Sequence, residues 1–217
     1  MESDRPTEMP GSGFERVARA GATLFREGAA AVGLFILREG WAFRYKTLPD
    51  GRRQILTYLL PGDLAGFQAA TLSWIDHGVE TLTPVRYANY SLASLFADSF
   101  AQAGRDPVEA VAHFASLQER ALDEHLLTLG RRSALERVAY IIWTLVQRLK
   151  SLGLERDGRV EFPLTQQHLA DTLGLSLVHT NKTLRRLSGM DCLSWKGRTL
   201  VVRDGDRLAA IAGLSAA

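Results

Sequence analysis

Apolar residues come in short runs broken by turns in the first half of the chain, and at helical spacing in the second. Apolar or alternating runs at 34–37, 41–45 and 54–59 lie between Glu27-Gly28, Glu39-Gly40, Asp50-Gly51 and Pro61-Gly62. The four glycines stand 12, 11 and 11 residues apart. Turn signals at that spacing predict a meander of short strands. Asp50-Gly51 predicts a hairpin, because glycine tolerates the positive φ such turns need. Further strands are expected near 79–82 and 85–91. Residues 14–97 therefore read as mainly an antiparallel β-roll or barrel.

After Pro107 the period changes. Val111, Phe114, Ala115, Gln118, Leu122, His125, Leu126 and Leu129 recur in steps of three and four, which predicts a long helix over roughly 107–129. Proline suits its first turn. Its apolar stripe needs a cover, either the β-roll or the same helix of a second chain. Gly130-Arg131-Arg132 reads as a hinge. A more apolar helix is expected over 134–149, and residues 151–159 read as a Gly- and charge-rich connection.

Residues 162–187 hold the most specific pattern. Pro163 ends what precedes it, and Thr165 can cap a helix whose inner face is Leu169, Ala170 and Leu173. Ala170 is small enough for a second helix to approach. Gly174 supplies the turn, and Ser176 caps a helix with Thr180, Leu184 and Leu187 inward. Two short helices at a steep angle leave the start of the second free to enter a major groove. Leu177 and Val178 suit thymine methyls, Asn181 suits adenine, and Lys182 suits guanine or phosphate. Arg185 and Arg186 suit phosphate, as do the backbone N–H groups near Thr165 with Gln166 and Gln167. Residues 193–202 read as a wing hairpin with a basic tip, Lys196 and Arg198. Ser176 and Thr180 complete the expected DNA-contacting set. A helical hairpin that merely packs would not need two caps, a basic face and a basic wing together.

Charge sharpens this picture. The net charge is only +2, but residues 1–130 hold 12 Lys/Arg against 16 Asp/Glu, and residues 131–217 hold 14 against 8. A basic rear half fits a polyanionic partner. The single cysteine, Cys192, excludes an internal disulfide framework. Residues 1–13 read as a disordered polar tail with no signal-peptide core, and the most apolar stretch, 139–146, is too short to span a bilayer. A soluble, cytoplasmic protein with no membrane partner is expected.

In these residues the chain resembles the Crp/Fnr family of bacterial transcription regulators over nearly its whole length. The segments that carry the resemblance are Gly51-Arg52-Arg53-Gln54-Ile55-Leu56, Leu60-Pro61-Gly62-Asp63-Leu64, residues 129–138 (LGRRSALERV) and the helix pair at 164–187. The resemblance implies an α+β protein: an N-terminal cyclic-nucleotide-binding-like β-roll (a double-stranded β-helix) over 14–106, a dimerisation helix over 107–130, and a winged helix-turn-helix over 131–217. It also implies a homodimer on palindromic double-stranded DNA, with RNA polymerase as a further candidate partner. The effector is left open, with Gly62, Asp63, Leu64, Ala65 and Gly66 as the candidate loop.

Some positions depart from the family pattern. Cyclic-AMP-binding relatives have an Arg where Val79 or Glu80 stands here, and a carboxylate there would repel a cyclic phosphate. There is no N-terminal cysteine cluster for an iron–sulfur centre. A haem would need an axial ligand, and His77, His113 and His125 are the histidines outside the helix pair. Leu177-Val178 stands where many relatives have Arg-Glu, and Lys182 where they have Arg, so the family's operator sequence does not transfer. No cofactor or metal is expected. Two other readings compete: a cupin-like metal-dependent enzyme with an appended DNA-binding module, and a DNA-binding protein with no small-molecule input. The five histidines form no visible cluster for the former. Cys192 reads as a redox switch or, more simply, as an incidental small residue.

Overall fold

A computed structural model describes residues 14–30, 33–67, 72, 74–91 and 107–214. The expected disordered tail, 1–13, lies outside the described residues. So do parts of the expected roll at 31–32, 68–71, 73 and 92–106, and residues 215–217.

Five of the eight strands fall where alternation and turn glycines place them. They are β1 (Phe14–Ala18), β2 (Thr23–Phe25), β3 (Leu34–Glu39), β4 (Ala42–Thr47), β5 (Arg53–Leu59), β6 (Leu64–Ala65), β7 (Gly78–Thr81) and β8 (Val85–Tyr90). One antiparallel sheet has the order β1-β8-β3-β6, and β2 pairs antiparallel with β7. The strands β1, β2 and the two-residue β6 carried no signal strong enough to single them out. The described residues group into two compact units: 1–42 with 59–118, and 43–58 with 119–217. The sequence division at 106 and 130 does not anticipate that residues 43–58 group with the C-terminal part.

The first unit is closed by Phe25, Phe35, Leu37, Ala42, Leu59, Ala65, Ile75, Val79 and Val85. Phe25 meets Phe35 at 5.2 Å between ring centroids, and Phe35 meets Tyr87 at 5.3 Å, both tilted. Each buried Phe, Leu, Ile or Val of this cluster stabilises the fold by roughly 1.5–3 kcal/mol relative to exposure. Gly66, at φ +89, is held tightly: a Cβ there would lie 2.8 Å from the carbonyl oxygen of Gly33 and 2.8 Å from the Phe25 ring. This corner therefore requires glycine.

In the second unit, β4 and β5 form the hairpin predicted at Asp50-Gly51. Gly51 has φ +87 and donates to the Leu48 carbonyl at 2.9 Å, while Asp50 accepts from the Arg52 backbone at 3.0 Å. Helix α1 (Pro107–Arg131) runs two residues past its expected end, and α2 (Ala134–Ser151) follows. The expected hinge at Gly130 is displaced. Gly130 is helical, and the chain breaks at Arg132-Ser133. The physical reason is a strong helix start: Ser133 and Glu136 form a reciprocal capping box, with the Glu136 carboxylate accepting from the Ser133 N–H at 2.6 Å. That bond holds the Glu136 carboxyl below its usual range. Along α2, Val138, Ala139, Ile142, Leu145, Val146 and Leu149 are buried, the spacing of one helix face.

The connection expected over 151–159 contains structure of its own. β9 (Glu155–Arg156) and β10 (Arg159–Glu161) form a tight hairpin, with Arg159 opposite Arg156. Asp157 and Gly158 both take positive φ, 53° and 72°, as a primed two-residue turn requires. The Asp-Gly signal was in the sequence, but the flanking strands are too short to show alternation. These strands join β11 (Leu193–Lys196) and β12 (Thr199–Val202) in the order β11-β12-β10-β9. The remaining helices are α3 (Gln166–Leu173), α4 (Leu177–Gly189) and α5 (Gly205–Ile211).

Candidate nucleic-acid interface

Helices α3 and α4 are set by the residues that cap them. Thr165 caps α3: its hydroxyl accepts from the His168 N–H at 3.1 Å, and His168 Nδ1 accepts from the Thr165 N–H at 3.0 Å. Histidine thus completes a capping box usually closed by Glu or Gln, a role the sequence reading missed. Burial lowers the His168 pKa, and Arg53 lowers it further against the opposing pull of Asp171. The neutral ring is the form that can accept at Nδ1. Helix α3 ends at Gly174 in the left-handed region, φ 61° and ψ 33°. Ser176 then caps α4 by accepting from the His179 N–H at 3.2 Å.

The end of α3 is finished by side chains from elsewhere in the same unit. The last carbonyls of a helix have no partner within it. Here Gln54 on β5 donates to the Thr172 carbonyl at 2.8 Å, and Arg137 on α2 donates to the Leu173 carbonyl at 3.1 Å. Tyr58 meets the Thr172 hydroxyl at 2.7 Å. That hydroxyl gives its proton to the His168 carbonyl at 2.7 Å, so Tyr58 is the donor. Burial pushes the Tyr58 pKa well above its ordinary value.

Helix α4 has two faces. Thr180, Thr183, Leu184 and Leu187 are buried. Leu177 is 43% exposed and Val178 79% exposed, while Asn181 is half-buried and Lys182, Arg185 and Arg186 are exposed. Leu177, Val178, Asn181, Lys182 and Arg185 follow each other at one-, three- and four-residue steps and so share a ridge. Beside the ridge runs a groove of about 620 Å³, whose lining includes Thr165, Gln166, Asn181, Arg185, Trp195 and Gly197. The N-terminus of α3 forms one side, and the wing of β11 and β12 forms the other.

Most expected contact residues therefore lie on one accessible surface. Thr165, Gln166, Gln167 and Ser176 are exposed, as are Lys196 and Arg198 on the wing. Arg198 is already paired with Glu161 of β10 at 2.9 Å, both side chains remaining more than half exposed. Thr180 must be removed from the contacting set. It is 0% exposed, and its hydroxyl donates to the Ser176 carbonyl at 3.1 Å. Its place four residues before Leu184 and seven before Leu187 puts it on their buried face. The sequence reading also passed over Trp195 and Ser188, which line the groove. Trp195 is fixed edge-on against Phe162 at 5.3 Å and donates from Nε1 to the Gly197 carbonyl at 3.1 Å.

Comparison with known proteins agrees with this architecture. A model of the Crp-like helix-turn-helix domain matches residues 136–211, and one of the cyclic nucleotide-binding domain matches residues 15–98. The nitrogen fixation regulation protein FixK of Azorhizobium caulinodans is 30% identical over 213 residues, covering 95% of this chain and 83% of that protein. The chain belongs to the Crp/Fnr family of transcription regulators. The transcriptional activatory protein AadR of Rhodopseudomonas palustris is 32% identical, over 80% of this chain and 73% of its own. Among solved structures, FixK2 from Bradyrhizobium japonicum has a TM-score of 0.80 at 27% identity, covering 94% of this chain and 98% of that one. The enzyme alternative gains no support from these relatives.

The positions where this Crp/Fnr chain departs from cyclic-AMP-binding relatives can be placed. Val79 is fully buried in the core of the first unit, and Glu80 stands opposite Thr23 on β2. The candidate effector loop is a bonded corner: Gly62 donates to the Leu37 carbonyl at 2.8 Å, Leu37 to the Asp63 carbonyl at 2.9 Å, and Leu60 to the Asp63 carboxylate at 2.8 Å. Leu64 and Ala65 form β6, and Ala65 is buried. Cys192 is fully buried, its pKa raised by that burial, which favours the reading of a small packed residue. Among the described residues no three His, Cys, Asp or Glu side chains gather as a metal site, and no helix is long and apolar enough to cross a membrane.

Proposed function

We propose that this regulator reads double-stranded DNA with the ridge of α4. Leu177, Val178, Asn181 and Lys182 face base edges. Thr165, Gln166, Gln167, Ser176, Arg185, Arg186, Lys196 and Arg198 hold phosphates. The observation that carries the reading is the division of α4: its apolar side is sealed, while its cationic ridge stands open beside a groove ending at the Thr165 cap. Helix N-termini and basic side chains are the ordinary ligands of phosphate.

The functional unit in this reading is a homodimer in the cytoplasm, on a palindromic operator. Its support is the apolar stripe of α1, where Leu122 is 58% and Leu126 60% exposed and Leu117 and Leu127 nearly half exposed. A stripe of that kind on a long helix fits a second copy of itself. Two reading helices then meet half-sites about 34 Å apart. The input at the β-roll is a signal other than cyclic AMP bound in the usual way, since neither Val79 nor Glu80 is itself a cationic residue. RNA polymerase is the further partner in this reading.

Selection of duplexes from a random pool, followed by titration at several salt concentrations, tests it. Lys182→Ala and Arg186→Ala should both weaken binding, and Arg186→Ala, which removes a phosphate contact, should reduce the slope of log affinity against log salt by about 1. Asn181→Ala should change preference by roughly 1–3 kcal/mol at one base pair. Unaltered preference removes Asn181 as a base reader. A monomer on its selected duplex by light scattering ends the dimer reading.

A further inference from the structure

The hairpin of β4 and β5 lies more than a hundred residues from the helix-turn-helix in sequence, yet its side chains reach α3. Arg53 Nε and Nη2 contact the Asp171 carboxylate at 3.0 and 2.9 Å. Both side chains are at least three-quarters covered. The Arg53 guanidinium is held over the Phe43 ring at 5.0 Å and near the Tyr45 ring at 5.6 Å, so its orientation is fixed from behind. Phe43 also packs against the His168 ring at 5.5 Å. Gln54 and Tyr58 add the bonds to Thr172 described above. The other Asp171 oxygen accepts from Gln167 Nε2 at 2.6 Å. Gln167 is exposed at the start of α3, on the surface assigned to phosphate.

We infer that Arg53 is a positioning residue for DNA reading: through Asp171 it sets the side chain of Gln167, and with Gln54 and Tyr58 it fixes α3 against the hairpin. The physical chain is continuous. A planar guanidinium clamps a carboxylate, and that carboxylate orders an amide at the DNA-facing end of the same helix. Ordering Gln167 before DNA arrives removes part of the rotamer entropy that binding would otherwise lose. Arg53 does not itself touch DNA in this arrangement. The inference deepens the DNA-reading proposal and rests on it.

The test is titration of the full-length protein on its selected duplex, with Arg53→Ala, Gln167→Ala and the double variant. All are compared at a temperature where circular dichroism shows each fully folded. Each single change should weaken binding about fivefold, the scale of one hydrogen bond. The double variant should be no weaker than the singles, because both act through one contact. The salt slope of Arg53→Ala should equal that of the unmodified protein, since no phosphate contact is lost. If Arg53→Ala fails to fold, Arg53→Lys serves in its place, keeping the charge but losing the fork, with a smaller loss of affinity and the same coupling to Gln167→Ala. Undiminished affinity, losses that multiply in the double variant, or a salt slope lower by about one would overturn the inference. Failure of the unmodified protein to bind any selected duplex would remove the DNA reading and this inference with it. Binding that survives Arg53→Ala unchanged removes only the inference.

Discussion

Thr165 and His168 cap each other's backbone at the start of the first helix of the helix-turn-helix, at 3.1 and 3.0 Å. The bond at Nδ1 exists only while that nitrogen carries no proton. The His168 pKa is lowered by burial and by Arg53, and raised by Asp171 to a lesser degree. The unfolded chain takes up a proton at His168 near the ordinary value of 6.5, the folded one only at lower pH, so the stability contribution is intact above about 6.5 and declines as pH falls through the folded value. Melting temperature from about pH 8 to about pH 5 should fall more steeply for the native protein than for His168→Gln, whose amide oxygen accepts without titrating. His125, also lowered by burial, is present in both and cancels from the difference. Parallel curves would deny His168 this role.

Gly174 joins the two helices in the left-handed region with open space around it: nothing lies within 4 Å of a Cβ built there. The cost of substitution is therefore conformational and not steric crowding by neighbours. Gly174→Ala should destabilise the protein by about 1 kcal/mol, Gly174→Asn by less, and Gly174→Val by more. Urea denaturation midpoints in that order check this. A large loss in the asparagine variant would mean that something other than φ is being read.

Arg132 ties the end of α1 to the elements after it. It donates to the Thr128 hydroxyl at 2.6 Å and to the Ala212 carbonyl at 3.2 Å, contacts Glu124 at 3.3 Å, and lies 4.0 Å from the centre of the Tyr140 ring. Its side chain is only 11% exposed. Arg132→Ala should cost about 2–3 kcal/mol, because several part-buried partners lose their donor at once. Arg132→Lys should recover part of that, lacking the planar fork. Thermal unfolding of both variants decides the matter, and an alanine variant within a few tenths of a kcal/mol of the native protein would contradict it.

What could be read directly from the chain were features whose causes lie within a few residues of each other. Turn glycines at 28, 40, 51 and 62, the helical periods after Pro107, the caps at Thr165 and Ser176, and the left-handed turn at Gly174 are all local, and each appears in the structure. The surface character of Leu177, Val178 and Lys182 was legible for the same reason, since helix phase alone sets which residues share a face. Thr180 carried two signals: its helix phase placed it inward with Leu184 and Leu187, and its polar side chain suited a DNA contact. Phase prevails, and the Ser176 carbonyl satisfies the buried hydroxyl. Tertiary structure alone decided that Arg53 meets Asp171, 118 positions away, that Gln54 and Arg137 finish the end of α3, and that Arg198 pairs with Glu161. Such pairings are set by how the chain closes on itself over long loops, and no periodicity in the sequence records that closure.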